Sequence, residues 1–485
     1  MARESAEAAG EAARAVQPRP LPWVQVSPGS PYFVDEVGDA FTPIGDNNSI
    51  AWIELQPLWR RRDPERVRAW LQGLRASGVT VIRLMLECAH QRSRTLERPT
   101  GKWNPVLVQM WDDLFALCEQ VGMRLLLTPV DTFWTWINWA RHPYNVALGG
   151  PAQRPSELLT NPGVRAAVKA RLSFAVERWG GSGALFAWDL WNEIHPAQGG
   201  DSADAFPEFI ADLSQHVRAL ETRLHGRSHP QTVSLFGPEL EWKPEMPLRE
   251  PIFRHPDLDF ASIHIYATRA IDDPVNTVAG AQAMGRIVRE CLGEITDGRP
   301  FLDTEHGPIH AFKDKRRTLK EPFDDEYFRH MQWAHLASGG AGGGMRWPNR
   351  RVHVLTPGMR RAQAGLSAFL PLVDWGRFRR RNLNAEVRVG APKVEAFACG
   401  DDSQAVVWLL RRDTLGKGGQ LRRDAAPIGP SVLVPGLAAG RYRGTAFDTA
   451  EGRALGRFEA EAKGIGLAFF APPFIADLAF AIRRA

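Results

Sequence analysis

Cysteine is scarce in this 485-residue chain, with four copies at Cys88, Cys118, Cys291 and Cys399. None has the CxxC spacing of a metal site. Scattered thiols in apolar or helical surroundings read as reduced, buried small hydrophobes. No run of 18 apolar residues occurs, which excludes a membrane-spanning helix. His306 and His310 are four apart and His195 follows Glu193 by two, spacings that on a helix could hold zinc, but no HExxH is present and Gly307 and Pro308 break a helix between the first pair. The turn Gly45-Asp46-Asn47-Asn48 is not the GxGxxG of a dinucleotide site. No metal and no cofactor are therefore expected. The formal charge is only +5, and the nearest thing to a basic run, Arg377 to Arg381, is short. It reads as a solvated face or a domain junction, so no nucleic-acid partner is expected.

The first twenty residues, Met1 to Pro20, are rich in Ala, Glu and Arg and lack an apolar centre. They read as a disordered or frayed helical leader, not a secretory signal. A cytoplasmic location is expected, or a secreted one if an export signal has been removed.

Tryptophan is plentiful, with 17 copies against 5 tyrosines. Packing accounts for about half of these in such a chain, and flat rings left over suit the apolar faces of sugars. From about Phe41 onward, short apolar runs alternate with amphipathic segments. Phe41–Ile44 opens the series. Helices are expected from Asp63-Pro64-Glu65 to Gly78, over 111–121, 162–179, 205–224, 282–294, 325–337 and 360–369. Strands are expected over 79–84, 124–129, 185–191, 232–236, 259–266, 300–303 and 342–347. Eight strands with intervening helices demand parallel pairing with right-handed crossovers. They close into an α/β fold of the (β/α)8 TIM barrel type more readily than they form a doubly wound sheet. Beyond about Trp375, short β-rich runs separated by Gly and Pro predict a small antiparallel β-sandwich. The expected layout is a leader over 1–20, a barrel over 21–375 and the sandwich over 376–485.

Two apolar runs end abruptly in carboxylates: Trp188-Asp189-Leu190-Trp191-Asn192-Glu193 and Pro300-Phe301-Leu302-Asp303-Thr304-Glu305. Two glutamates at the ends of buried strands are what double displacement at a sugar bond requires. Active sites of such barrels lie at the C-terminal strand ends. Those ends carry Asp46 and Asn47, Arg83 and Glu87, Asp131 with Trp134, Trp136 and Trp139, Asn192 and Glu193, His264 and Tyr266, Glu305, and Trp347. Neighbours on a regular strand point opposite ways, so the chain must bend or end between Asn192 and Glu193 if both face one pocket.

Asn192-Glu193 and Glu305, with His264-x-Tyr266 between them, resemble the family 5-like cellulases and mannanases of glycoside hydrolase clan A. The resemblance covers the barrel. It departs from many family members after the third strand, where Thr128 to Trp134 contains no histidine, and so points to a divergent relative. It implies Glu193 as general acid/base, shielded in part by Trp188 and Trp191, and Glu305 as nucleophile, with Arg83 and Tyr266 as its donors. It implies sugar contacts for Asn192, His264 and the Trp347 ring. Asp46, Asn47, Asp131, Trp134 and Trp136 join them as candidate substrate-binding residues. The implied partner is a β-linked carbohydrate, and the implied reaction is retaining hydrolysis, with endo-action on a β-1,4-linked polymer such as mannan preferred. The alternatives are an exo-acting β-glycosidase and a non-catalytic carbohydrate-binding barrel.

Overall fold

The computed structural model describes residues 20–48, 54–87, 95–200, 205–309, 319–347 and 355–485. Nearly all of the expected leader, Cys88 and His310 lie outside them. Cys118, Cys291 and Cys399 are buried with free thiols. Among the described residues, no helix is long and apolar enough to cross a membrane.

A small antiparallel sheet that the sequence did not announce comes first: β1 (Val24–Val26), β2 (Phe33–Asp35) and β3 (Ala40–Phe41). The expected first strand, Phe41–Ile44, is thereby corrected. Phe41 pairs with Phe33, and the parallel series starts only at β4 (Gly45–Asn47). Pro43 stands between them and has no N–H to continue a ladder.

The alternation then proceeds as expected. Strands β5 (Val81–Met85), β6 (Arg124–Thr128), β7 (Leu185–Asp189) and β8 (Gln231–Thr232) join β4 in one parallel ladder. Strands β9 (Ser234–Phe236), β10 (Ala261–Ile265) and β11 (Phe301–His306) form a second parallel ladder. Only Val233 separates β8 from β9. β5, β6, β7 and β10 are buried at every position, as parallel strands covered on both faces are.

The α-helices between and after them are α1 (Pro64–Ala76), α2 (Pro105–Val121), α3 (Thr132–Ile137), α4 (Pro162–Trp179), α5 (Ala205–His225), α6 (Glu239–Trp242), α7 (Arg249–Phe253), α8 (Thr277–Glu294), α9 (Glu321–Ala337) and α10 (Pro357–Phe369). Local chemistry sets several starts. The Asp63, Asn104 and Asn161 side chains accept backbone N–H groups of the first turns of α1, α2 and α4, each with Pro at the helix start.

The expected eighth strand, 342–347, is a single parallel bridge between His306 and Arg346. Its glycines explain the difference. Gly342 (φ +108°) sits where a Cβ would lie 2.1 Å from the Pro43 carbonyl oxygen, and Gly344 (φ +71°) where a Cβ would lie 2.8 Å from Asp303 Oδ2. Close approach to two neighbours, with positive φ, replaces regular pairing.

From Arg381 onward the chain is antiparallel. Strands β12 (Arg381–Asn382), β13 (Arg388–Val389), β14 (Val394–Gly400), β15 (Gln404–Arg411), β16 (Ser431–Val434), β17 (Gly440–Asp448), β18 (Arg453–Lys463), β19 (Gly466–Phe470) and β20 (Asp477–Arg484) form one nine-stranded sheet in the order β12-β14-β15-β20-β17-β18-β19-β16-β13. The expected sandwich is thus one continuous ladder enclosing its own apolar cluster. β18 escaped the sequence reading because its side chains are nearly all exposed or half-buried, so no apolar alternation marks it. Trp408 is fully buried in β15, with its indole N–H on Asp477, 3.0 Å away.

Candidate active site

Asn192 and Glu193 follow β7, and Glu193 has φ +48°. This left-handed turn replaces strand alternation and lets consecutive side chains serve one site. The Glu193 N–H is held by Ser234 Oγ at 3.2 Å. On the other side, the β10–β11 register shifts between Ile263 and His264, placing His264 beside Glu305.

Arg83 is the hub. Its Nη1 lies 2.5 Å from Glu305 Oε1, and its Nη2 lies 2.8 Å from Asp189 Oδ2 and 2.7 Å from Asn192 Oδ1. Burial works against the guanidinium charge, but Glu305 and Asp189 outweigh it and raise its pKa. Asp189 also accepts from Thr128 and Ser234. The Asn192 Nδ2 donates to Asp131 at 2.9 Å, which fixes the amide orientation. Tyr266 OH donates to Glu305 Oε2 at 2.8 Å.

His264 Nδ1 is 2.7 Å from Glu193 Oε1 and 3.5 Å from Glu305 Oε2. Burial pushes its pKa down to about 4 against the pull of Glu305, so the ring is neutral near neutral pH. Burial lifts the Glu193 pKa to about 8; Arg83 opposes the rise, while Glu239 and Asp189 add to it. Burial also raises Glu305, while His264, Arg83 and the Tyr266 hydrogen bond draw it back and Glu193 adds to the rise.

Glu193, His264 and Glu305 each offer one ligand atom within 4.8 Å of the others, so a cation could be held here. The Arg83 guanidinium against Glu305 places a fixed positive charge beside that set and opposes one. His306 Nδ1 bonds Asp303 at 2.7 Å and His195 Nε2 meets Glu239 at 3.0 Å, so both rings have protein partners.

The core of the expected constellation is brought together: Arg83, Asn192, Glu193, His264, Tyr266 and Glu305. Others are tied into the scaffold. Asp46 pairs with Arg360 at 2.9 Å, and Asn47 donates to the Thr304 carbonyl at 3.0 Å. Asp131 caps α3 and holds Asn192, and burial raises its pKa to about 6 despite these bonds. Trp134 is buried against His142 and Arg171, whereas Trp136 is 46% exposed, edge-on to His195. Trp347 is half-buried beside the His306 bridge. The indole N–H groups of Trp188 and Trp191 bond Glu221 and Thr132, and both rings belong to the apolar core. Glu87 bonds the Glu97 N–H and pairs with Arg171, in a buried cluster apart from the two glutamates.

Sequence reasoning missed Asp189, Ser234 and Thr128, which fix Arg83 and the Glu193 backbone. Asp189, a charge inside an apolar strand, was a usable signal because a buried charge requires a partner.

No protein-family model matches the chain. Among curated proteins it is 29% identical over 117 residues to mannan endo-1,4-beta-mannosidase A of Aspergillus aculeatus, covering 24% of this chain and 29% of that protein. It is 24% identical over 289 residues to mannan endo-1,4-beta-mannosidase 2 of Arabidopsis thaliana, covering 53% and 64%. The matches thus span less than two thirds of either relative. Among solved structures, a family 5 glycoside hydrolase from Bacteroides vulgatus superposes with a TM-score of 0.61 at 11% identity, over 96% of this chain and 94% of that one. A family 5 mannosidase from Rhizomucor miehei gives 0.52 at 15% identity, over 67% and 86%. The chain has the fold of the family 5 glycoside hydrolases, as the resemblance implied.

Proposed function

We propose that the protein is a retaining β-glycoside hydrolase, built on a closed (β/α)8 barrel, that cleaves β-1,4-linked mannan or its oligosaccharides internally. One observation carries this reading: a Glu193 carboxyl oxygen lies within 4.8 Å of one from Glu305, while only Glu305 receives both Arg83 and Tyr266 as donors. Retaining enzymes hold their carboxyls about 5–5.5 Å apart, and inverting ones leave about 6.5–9.5 Å for a water.

In the first step an ionised Glu305 oxygen bonds to the anomeric carbon. The glycosidic C–O bond breaks, and the departing oxygen takes the proton from Glu193. Arg83 and Tyr266 favour the ionised nucleophile. In the second step Glu193 takes a proton from water, whose oxygen displaces Glu305 from the anomeric carbon. Asn192, with its amide locked by Arg83 and Asp131, faces the sugar 2-hydroxyl, and Trp347 forms the floor beneath the ring. The sequence relatives named as mannan endo-1,4-beta-mannosidases favour mannan.

The test is product analysis by mass after incubation with β-mannans, β-glucans and aryl β-glycosides, with proton NMR of the first product formed. Internal cleavage of mannan with initial release of the β-anomer is expected. Initial release of the α-anomer would refute the nucleophile role, and monosaccharide release from chain ends would refute endo-action. Inactivity on every substrate would leave a carbohydrate-binding barrel.

A further inference from the structure

Arg346 is 1% exposed and bridges two parts of the fold. Its Nε donates to the Trp347 carbonyl at 3.0 Å, and its Nη2 donates to Asp324 Oδ1 at 2.8 Å. Its backbone pairs with His306, the residue after Glu305: the His306 N–H donates to the Met345 carbonyl at 3.0 Å, and the Trp347 N–H donates to the His306 carbonyl at 2.8 Å. The next residue, Gly307, has φ +127° and leaves room for the same arginine, since a Cβ there would stand 2.8 Å from Arg346 Cδ. One side chain thus donates to the chain on one side of this bridge and lies close against the glycine on the other.

Asp324 lies in α9, a helix buried along most of its length. Five residues on, Arg329 meets Asp477 of β20 at 2.6 Å, and Trp408 donates to the same carboxylate at 3.0 Å. Five residues turn a helix by about 140°, so Asp324 and Arg329 project to different sides of α9. Glu326 of α9 also accepts the Leu421 N–H at 2.8 Å. One side of the helix thus grips the antiparallel sheet, and another grips the arginine behind the nucleophile strand.

We propose that Arg346 is a positioning residue for Glu305 and Trp347, and that the antiparallel sheet acts through α9 as the fixed support for this contact. What is positioned rests on the hydrolase reading above; the mechanical linkage does not.

The test uses full-length Arg346→Met, Arg346→Lys and Asp324→Asn proteins. Two readouts are taken: hydrogen exchange at the His306 and Trp347 amides, and kcat and KM on an aryl β-mannoside. In Arg346→Met, exchange at these two amides rises about tenfold or more, while the β5–β6 ladder keeps parent rates. The kcat falls about tenfold or more with a smaller change in KM, because slight misplacement of a reacting group costs rate. Arg346→Lys keeps a charge for Asp324 but loses the planar fork, and falls between the two. Unchanged exchange and kcat in a folded Arg346→Met protein overturn the proposal. So does an equal acceleration across the β5–β6 ladder, which marks a purely structural role. If Arg346→Met does not fold, the isosteric Asp324→Asn decides: exchange faster at the two amides alone supports the linkage, and parent rates there refute it. If the parent hydrolyses no β-glycoside, the hydrolase reading fails, and the exchange measurement still decides the linkage.

Discussion

The Nδ1 of His264 lies 2.7 Å from Oε1 of Glu193. Under the proposed hydrolysis, a neutral imidazole in contact with a carboxyl whose pKa burial raises to about 8 suits Glu193 to deliver a proton. It separates the roles of the two glutamates.

The pH profile follows from that separation. The kcat/KM falls on the basic side as Glu193 deprotonates near pH 8, and on the acidic side at a pH above the ordinary glutamate range, because Glu305 is also raised. Stability follows the same proton. Between the ordinary glutamate value and about 8 the folded protein binds more protons at Glu193 than the unfolded chain does. The stabilisation is therefore full at low pH and is lost as pH rises through about 8. Urea titrations of the parent and Glu193→Gln across this window should diverge, the parent losing stability relative to the non-titrating variant as pH rises. A difference that stays constant with pH contradicts the raised pKa.

Replacing each glutamate by glutamine should separate the two steps. Glu305→Gln abolishes turnover on every substrate. Glu193→Gln costs about 10²–10⁴-fold on substrates with poor leaving groups and far less in the first step on aryl glycosides with good ones. Single-turnover kinetics with both substrate types check this, and equal losses on both for Glu193→Gln would remove it from the acid role.

Tyr266→Phe deletes one donor to Glu305 while leaving Arg83 in place. A hydrogen bond to a charged group is worth about 1.5–3 kcal/mol, so kcat/KM should drop about tenfold or more. That hydrogen bond also draws the Glu305 pKa down, so the acidic limb should move to higher pH. A limb that stays put or moves lower contradicts the contact.

Asp477→Ala strands Arg329 without its partner inside the junction of α9 and β20. Removing one member of a buried pair costs about 3–5 kcal/mol. Chemical denaturation of the protein measures it, and a loss within error of zero contradicts a stabilising role for the pair.

Much of this site was legible in the sequence because it is punctuated. Apolar strands that stop at Asn192-Glu193 and at Glu305 announce themselves, and Asp63-Pro64-Glu65 announces a helix start. The eighth strand misled because Gly342 to Gly344 have strand-like neighbours but positive φ at two positions. β18 was invisible because an exposed strand carries no apolar period. Asp46, Asn47 and Asp131 stood at the right strand ends, but position along a strand says nothing of which neighbour a carboxylate or amide meets.

The sequence by itself determined the alternation of strands and helices and the two glutamates that follow apolar runs, since periodicity and helix starts are local properties. Only the tertiary structure decided which groups meet. Arg83 joins Glu305, Asp189 and Asn192 across more than 100 residues of chain. The proton affinity of Glu193 is likewise set by burial among distant segments. Such contacts depend on how strands are laid side by side, which no local pattern encodes.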